Sequence, residues 1–226
     1  EGDLNPSIQN YCKNLYAVDI NKRDVEFGKA AHQSVKYSVQ DATNLSFQDD
    51  FFQCVVCMEV LEHVNDEKKL LSEIHRILKP GGYAILTFPS QNFPFTYDPV
   101  NFLLKVFKIN LPIGAYAFGH TKLPNQSQFE DMALIMNFKI IEYSFLSFFL
   151  AGLLEMYWVG FAQSIFKFNA KNIKQENKDN SIFSIRPKFQ KSDKKRLTDL
   201  IVSTDDFLFS SISNKSIGLG YLLQKS

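Results

Sequence analysis

The stretch Cys54–Ser90, CVVCMEVLEHVNDEKKLLSEIHRILKPGGYAILTFPS, holds two strands with a helix between them. Cys54–Met58 is short, apolar and partly β-branched, which reads as a strand. Asn65 or Asp66 can cap the helix that follows. Leu70, Leu71, Ile74, Ile77 and Leu78 then recur at helical spacing and form one apolar face. Lys79-Pro80-Gly81-Gly82 stops that helix, and Tyr83–Phe88 is the next strand, ended by Pro89.

Upstream the same alternation continues. Leu15–Val18 is a short apolar run closed by Asp19, and Asn21 caps a helix reaching about His32. Val35–Val39 is a further strand. Downstream, Ser127-Gln128-Phe129-Glu130 has capping-box spacing before a helix to Met136, with Asn137 at its left-handed end. Phe138–Tyr143 and Ile217–Leu223 read as strands, the latter weakened by Gly218 and Gly220, and Leu197–Ser210 as a helix. Apolar strands alternating with amphipathic helices predict an α/β fold, a doubly wound, mostly parallel sheet with helices on both faces. Ligands of such sheets lie beyond the carboxyl ends of the strands.

The bulk numbers agree. The chain has 226 residues, 45% apolar and 22% charged, enough for one domain with a core. Residues 1–90 carry 9 Lys/Arg against 13 Asp/Glu, net −4, and residues 91–226 carry 16 against 11, net +5. An acidic first half speaks against nucleic-acid binding. Three cysteines, Cys12, Cys54 and Cys57, cannot form a full disulfide set, which favours a reducing, cytoplasmic compartment. No signal-peptide pattern opens the chain, which starts at Glu1-Gly2 without Met.

Each residue just past a strand has two readings. Asp19 could accept both hydroxyls of an adenosine ribose, or cap the next helix. Asp41 could accept from an adenine amino group beside Ala42, or simply close the turn Asp41-Ala42-Thr43-Asn44. Glu59 and His63, in EVLEHV, could steer an acceptor, bind a cation or act as a base, while Glu62 and His63 could equally tie the loop to nearby backbone. Cys54 and Cys57 have C-x-x-C spacing, but positions i and i+3 of a strand face opposite ways, so core packing is expected and no metal site. His120, in Gly119-His120-Thr121, is either a loop histidine or an acceptor-side group.

Taken together, YAVDI, QDATNL, FFQCVVCMEVLEHV and LLSEIHRILKPGGYAILTFPS resemble the class I S-adenosylmethionine-dependent methyltransferases, most closely the subgroup with the ubiquinone-pathway O-methyltransferases. The resemblance covers residues 14–90 and continues more loosely to Tyr143. It implies a Rossmann-like fold and S-adenosylmethionine as cofactor. It assigns Asp19 and the adjoining Ile20 to the cofactor's ribose end, and Asp41 and Ala42 to adenine. Cys57, Met58 and Glu59 would line the methionine moiety mainly through backbone, with Leu61 and His63 bordering the site. His63, Glu59 and His120 are the candidate bases for a hydroxyl acceptor. The family's first strand ends in a glycine-rich loop. Here Gly2 stands where its last glycine falls, so the first strand is expected to be missing and the natural protein longer.

Residues 145–166, FLSFFLAGLLEMYWVGFAQSIF, carry Glu155 as their only charge, and residues 167–196 carry 10 Lys/Arg against 3 Asp/Glu. The window is long enough to span a bilayer, but a central Glu opposes a simple span. Three readings stay open: a helix lying in the membrane interface, a helix covering the acceptor site or a dimer contact, and a span or re-entrant hairpin. The basic flank suits an anionic inner membrane face, so 145–196 is a candidate peripheral membrane contact. The expected division is 1–144 plus 211–226 as the Rossmann-like domain, with 145–210 a helical insertion before the last strand. The acceptor is then a small or lipid-linked molecule. The competing reading is a non-catalytic methyltransferase-like module that binds a membrane or partner. An NAD-dependent oxidoreductase rests on Asp19 alone, without G-x-G-x-x-G.

Overall fold

The computed structural model describes residues 5–90, 103–104, 123–148, 191–209 and 216–226. Gly2, His120, the apolar window from residue 149 and most of the basic stretch lie outside the described residues.

The deciding stretch folds as its pattern demands. Asp66 caps α3 (Glu67–Ile77), its carboxylate accepting from Lys69 N at 3.0 Å. Leu70, Leu71, Ile74 and Ile77 are the buried face of that helix. Each such side chain contributes roughly 1.5–3 kcal/mol on burial. Past Ile77 the chain turns at Gly81, whose φ of 74° suits glycine. Gly82 is close-packed: a Cβ there would sit 2.8 Å from Lys79 O and 3.0 Å from Gln53 O. The turn brings β4 (Leu78–Pro89) parallel to β3 (Phe52–Met58), with Cys54 opposite Tyr83 and Met58 opposite Thr87.

Ahead of this unit lie α1 (Asn5–Gln9), β1 (Tyr16–Asp19), α2 (Lys22–Ala31) and β2 (Lys36–Val39). The strands β1 and β2 pair in parallel. After it come α4 (Gln126–Ile135), β5 (Phe138–Ser147), α5 (Lys191–Phe209) and β6 (Gly218–Lys225). The described strands form two sheets, β1-β2 and β3-β4-β6-β5. β6 runs antiparallel to both its neighbours, so β3, β4 and β5 share one direction and only β6 is reversed. The result is α/β with a mixed sheet. Tyr16 at the start of β1 meets Phe47, Phe51 and Phe52 edge-on, with ring centroids 5.5–5.7 Å apart, and so joins the two sheets at one end.

One core cluster unites Leu70, Leu71 and Ile74 of α3 with Phe129, Met132 and Ala133 of α4 against Leu86, Phe88, Leu219, Tyr221 and Leu223. Both helices therefore cover the same face of the four-stranded sheet. On the other face Tyr83 and Ile85 stay 42% and 40% exposed, so the cover expected on both faces is not found there among the described residues.

Three local expectations are corrected. Asn125, not Ser127, caps α4, its Oδ1 accepting from Ser127 N and Gln128 N at 3.0 and 3.4 Å. Glu130 does not close a capping box; it accepts from the Tyr221 hydroxyl at 2.8 Å. Only Cys57 of the C-x-x-C pair packs against the core, whereas Cys54 lies on the exposed face. β5 also runs past Tyr143 to Ser147, taking up the first residues of the apolar window.

Candidate functional site

The carboxyl ends of β1 and β2 are adjacent, because Gln40 N donates to Asp19 O at 3.0 Å. Asp19 and Asp41 thus stand at neighbouring strand ends. Asp19 Oδ1 accepts from Asn21 N at 2.8 Å, and Asn21 in turn caps α2 through Arg23 N. Ile20 projects beside it, 72% exposed. Asp41 closes a turn: its Oδ1 accepts from the backbone N and the hydroxyl of Thr43, both at 2.8 Å. The Thr43 backbone bond, then the Thr43 hydroxyl, hold the Asp41 carboxyl below its ordinary value, so it is ionised at neutral pH. Both roles weighed for Asp41 are compatible, since the turn uses Oδ1 and, among the described residues, leaves Oδ2 to accept from a ligand.

At the end of β3 the backbone changes hand. Glu59 has φ 53°, an uncommon conformation for a side-chain-bearing residue. Its amide donates to Thr87 O and its Oε1 accepts from Thr87 Oγ1, each at 2.9 Å. The segment after it then splits by polarity in an unexpected way. Leu61 and Glu62 are both buried, at 1% and 0% exposure, while His63 is exposed. Leu61 belongs to the core cluster, so a ligand would meet its backbone rather than its side chain. His63 Nε2 lies 3.7 Å from Glu62 Oε1. Burial, with Glu59 nearby, pushes the Glu62 carboxyl up to about 8. Burial likewise pushes the Cys57 thiol up to about 12, which keeps it from acting as a thiolate at neutral pH. Met58 is 40% exposed. No cluster able to hold a metal ion is found among the described residues.

The fold thus gathers Asp19, Ile20, Asp41 and Ala42 at one pair of strand ends and Cys57, Met58, Glu59 and His63 at another. Such a row offers charged acceptors on one side and strand-end backbone on the other. Thr87 was not anticipated, and a Thr two residues before a strand-ending proline gives no sequence signal. Glu62 was read as a loop tie, although EVLEHV places it beside the apolar Leu61. A surface depression of about 340 Å³ lies elsewhere, lined by Asn125, Gln126, Ser127 and Glu130, none of them an expected site residue.

Comparison with known proteins shows what this part of the chain resembles. Residues 1–86 match the profile of the methyltransferase domain family. The match takes in the first 86 of the 226 residues and is a likeness of that part of the chain to the family. It is 32% identical over 100 residues to a ubiquinone/menaquinone biosynthesis C-methyltransferase UbiE of Haemophilus ducreyi, covering 41% of this chain and 37% of that one. With a UbiE protein of Francisella tularensis subsp. novicida it shares 28% over 141 residues, covering 55% and 56%. The chain therefore spans about half or less of the curated relatives it matches. Among solved structures it is similar to the [4+2]-cyclase SpnF, with TM-score 0.59, 12% identity, and coverage of 99% of this chain and 70% of that one. At that identity the likeness speaks to the Rossmann-like fold alone, and one fold hosts several chemistries. The matched residues include the strand ends that carry Asp19, Asp41 and Glu59.

Proposed function

We propose that the protein transfers a methyl group from S-adenosylmethionine to a small-molecule acceptor. The observation that carries this reading is the tie between Gln40 N and Asp19 O, which sets Asp19 and the Asp41 turn side by side within the matched domain. The residues fit the cofactor's chemistry. Asp19 has the oxygens to accept from a ribose diol, and Ile20 gives an apolar surface beside it. Asp41 is ionised and suited to an adenine amino group, with Ala42 beside it. The strand-end backbone of Cys57, Met58 and Glu59 serves the methionine end, and Gly2, by the resemblance, belongs to the glycine-rich loop against the cofactor.

When bound, the cofactor supplies a methyl group activated on a sulfonium. The chain's own task is alignment and proton management. Holding acceptor and donor in line accounts for much of the rate gain in such displacements. Glu59 and His63 are the groups proposed to orient an acceptor hydroxyl or take its proton, and His120 is the further candidate. Glu62, kept protonated by burial, lies 3.7 Å from His63 Nε2.

The relatives' printed names, ubiquinone/menaquinone and demethylmenaquinone methyltransferases, support a ring acceptor carrying a lipid tail. The apolar window 145–166 and the basic stretch to 196 suit such a tail and an anionic membrane surface. No helix among the described residues is long and apolar enough to cross a membrane. The test is transfer of a labelled methyl group to short-chain quinol and phenol acceptors, with His63→Ala and Glu59→Ala beside the parent chain. Label in the acceptor supports the reading. Cofactor binding without transfer to any of them favours the non-catalytic module.

A further inference from the structure

The segment that carries Asp41 is held from below by a single arginine. Arg76, near the end of α3, directs all five guanidinium N–H groups at protein acceptors. Nε donates to Glu73 Oε1 at 2.8 Å. Nη1 donates to Phe47 O at 2.7 Å and to Asp49 Oδ1 at 2.8 Å. Nη2 donates to Leu45 O at 2.9 Å and to Glu73 Oε2 at 2.8 Å. Glu73 Oε2 also accepts from Leu45 N at 2.8 Å. Leu45 is thereby fixed through both its backbone groups. It is the residue directly after the Asp41–Asn44 turn. The other end of that turn is fixed by the bond from Gln40 N to Asp19 O, and Gln40 Oε1 accepts from Ser46 N at 2.7 Å.

The turn is a short arch with both feet tied, one to β1 and one to the Arg76–Glu73 pair. From this geometry we infer that Arg76 and Glu73 are positioning residues for the adenine side of the cofactor site, setting where Asp41 Oδ2 and Ala42 stand. The inference rests on the proposed methyltransferase reading, but it concerns residues of α3 that do not touch the ligand. Lysine cannot replace this arginine. It offers three donors on a flexible stem, against a planar fork that reaches two carboxylates and two carbonyls at once. The pair is half-sheltered, with side-chain exposures of 28% and 16%, so its hydrogen bonds are not simply surface ion pairs.

The test compares S-adenosylhomocysteine with S-inosylhomocysteine, in which a carbonyl replaces the adenine amino group. Asp41 accepts from the amino group and repels the carbonyl, so the parent chain prefers the first ligand. Calorimetry is run on the parent chain, Arg76→Lys, Glu73→Gln and, as a control for lost stability on the core face of the same helix, Ile74→Val. The expected result is a loss of affinity on the order of tenfold in Arg76→Lys and Glu73→Gln, with the preference between the two ligands largely erased. Ile74→Val keeps the preference. Glu73→Gln keeps the side chain's shape and serves where Arg76→Lys does not fold. Parent-like preference in a folded Arg76→Lys or Glu73→Gln overturns the inference while leaving the site reading intact. A folded parent chain that binds neither ligand overturns the site reading itself.

Discussion

Glu59 and Thr87 are bonded twice. The Glu59 amide donates to the Thr87 carbonyl and the Thr87 hydroxyl donates to the Glu59 carboxylate, both at 2.9 Å. The double tie holds Glu59 at φ 53°, where a side-chain-bearing residue carries strain. It also joins the end of β3, which delivers the proposed methionine-side backbone, to the end of β4. Thr87→Val keeps the shape and removes the hydroxyl. The expected cost is about 1 kcal/mol in urea unfolding, together with weaker S-adenosylhomocysteine binding. Unchanged binding in Thr87→Val would detach this bond from the site.

Glu62 makes stability fall as pH rises, the reverse of an ordinary paired carboxylate. Its folded pKa of about 8 lies above the reference value of 4.5, so the folded chain keeps a proton that the unfolded chain releases. Stability linked to this group is fully present below about pH 4.5 and is lost as pH rises towards 8. Glu62→Gln stays neutral throughout. Urea unfolding at pH 5 and pH 8 should show a smaller decline for Glu62→Gln than for the parent, and an equal decline would contradict the assignment.

Gly28 lets α2 lie on β2. A Cβ at this position would collide with the Tyr37 ring. Gly28→Ala should therefore destabilise the β1-β2 unit by roughly 1–3 kcal/mol despite alanine's better helix propensity. Removing the ring in a Gly28→Ala, Tyr37→Leu double variant should recover part of that loss. Thermal melts of the three chains measure the coupling, and strict additivity would show that the two residues do not meet.

Much of this architecture could be read in the residues, for reasons that differ from element to element. α3 was legible because cap, apolar periodicity and stop signal agree between Asp66 and Gly81. Asn137 at φ 60° took the left-handed position expected of it. β6 was a weaker reading because Gly218 and Gly220 offer no side chains. In the fold Leu146 of β5 lies over both, 3.3 Å from where a Cβ would stand, and fills that space. No local pattern could place β6 between β4 and β5, because strand order depends on long-range pairing. Nor could a pattern separate the capping roles of Asn125 and Ser127, since either residue type accepts the same bonds. In the site, strand ends pointed to Asp19, Asp41 and Glu59 by position alone. Arg76 and Glu73 lie off the apolar face of α3, and no helical pattern shows that Arg76 meets Phe47 and Asp49 in a loop 27 or more residues earlier.

Asp19 and the neighbouring strand ends are proposed to bind the adenosyl cofactor. The most direct measurement is calorimetric titration of the full chain with S-adenosylhomocysteine, with Asp19→Ala titrated alongside and folding checked by circular dichroism. The expected result is saturable one-site binding that weakens by at least about tenfold in folded Asp19→Ala. Absence of binding by a folded parent chain, or equal binding by Asp19→Ala, would contradict it.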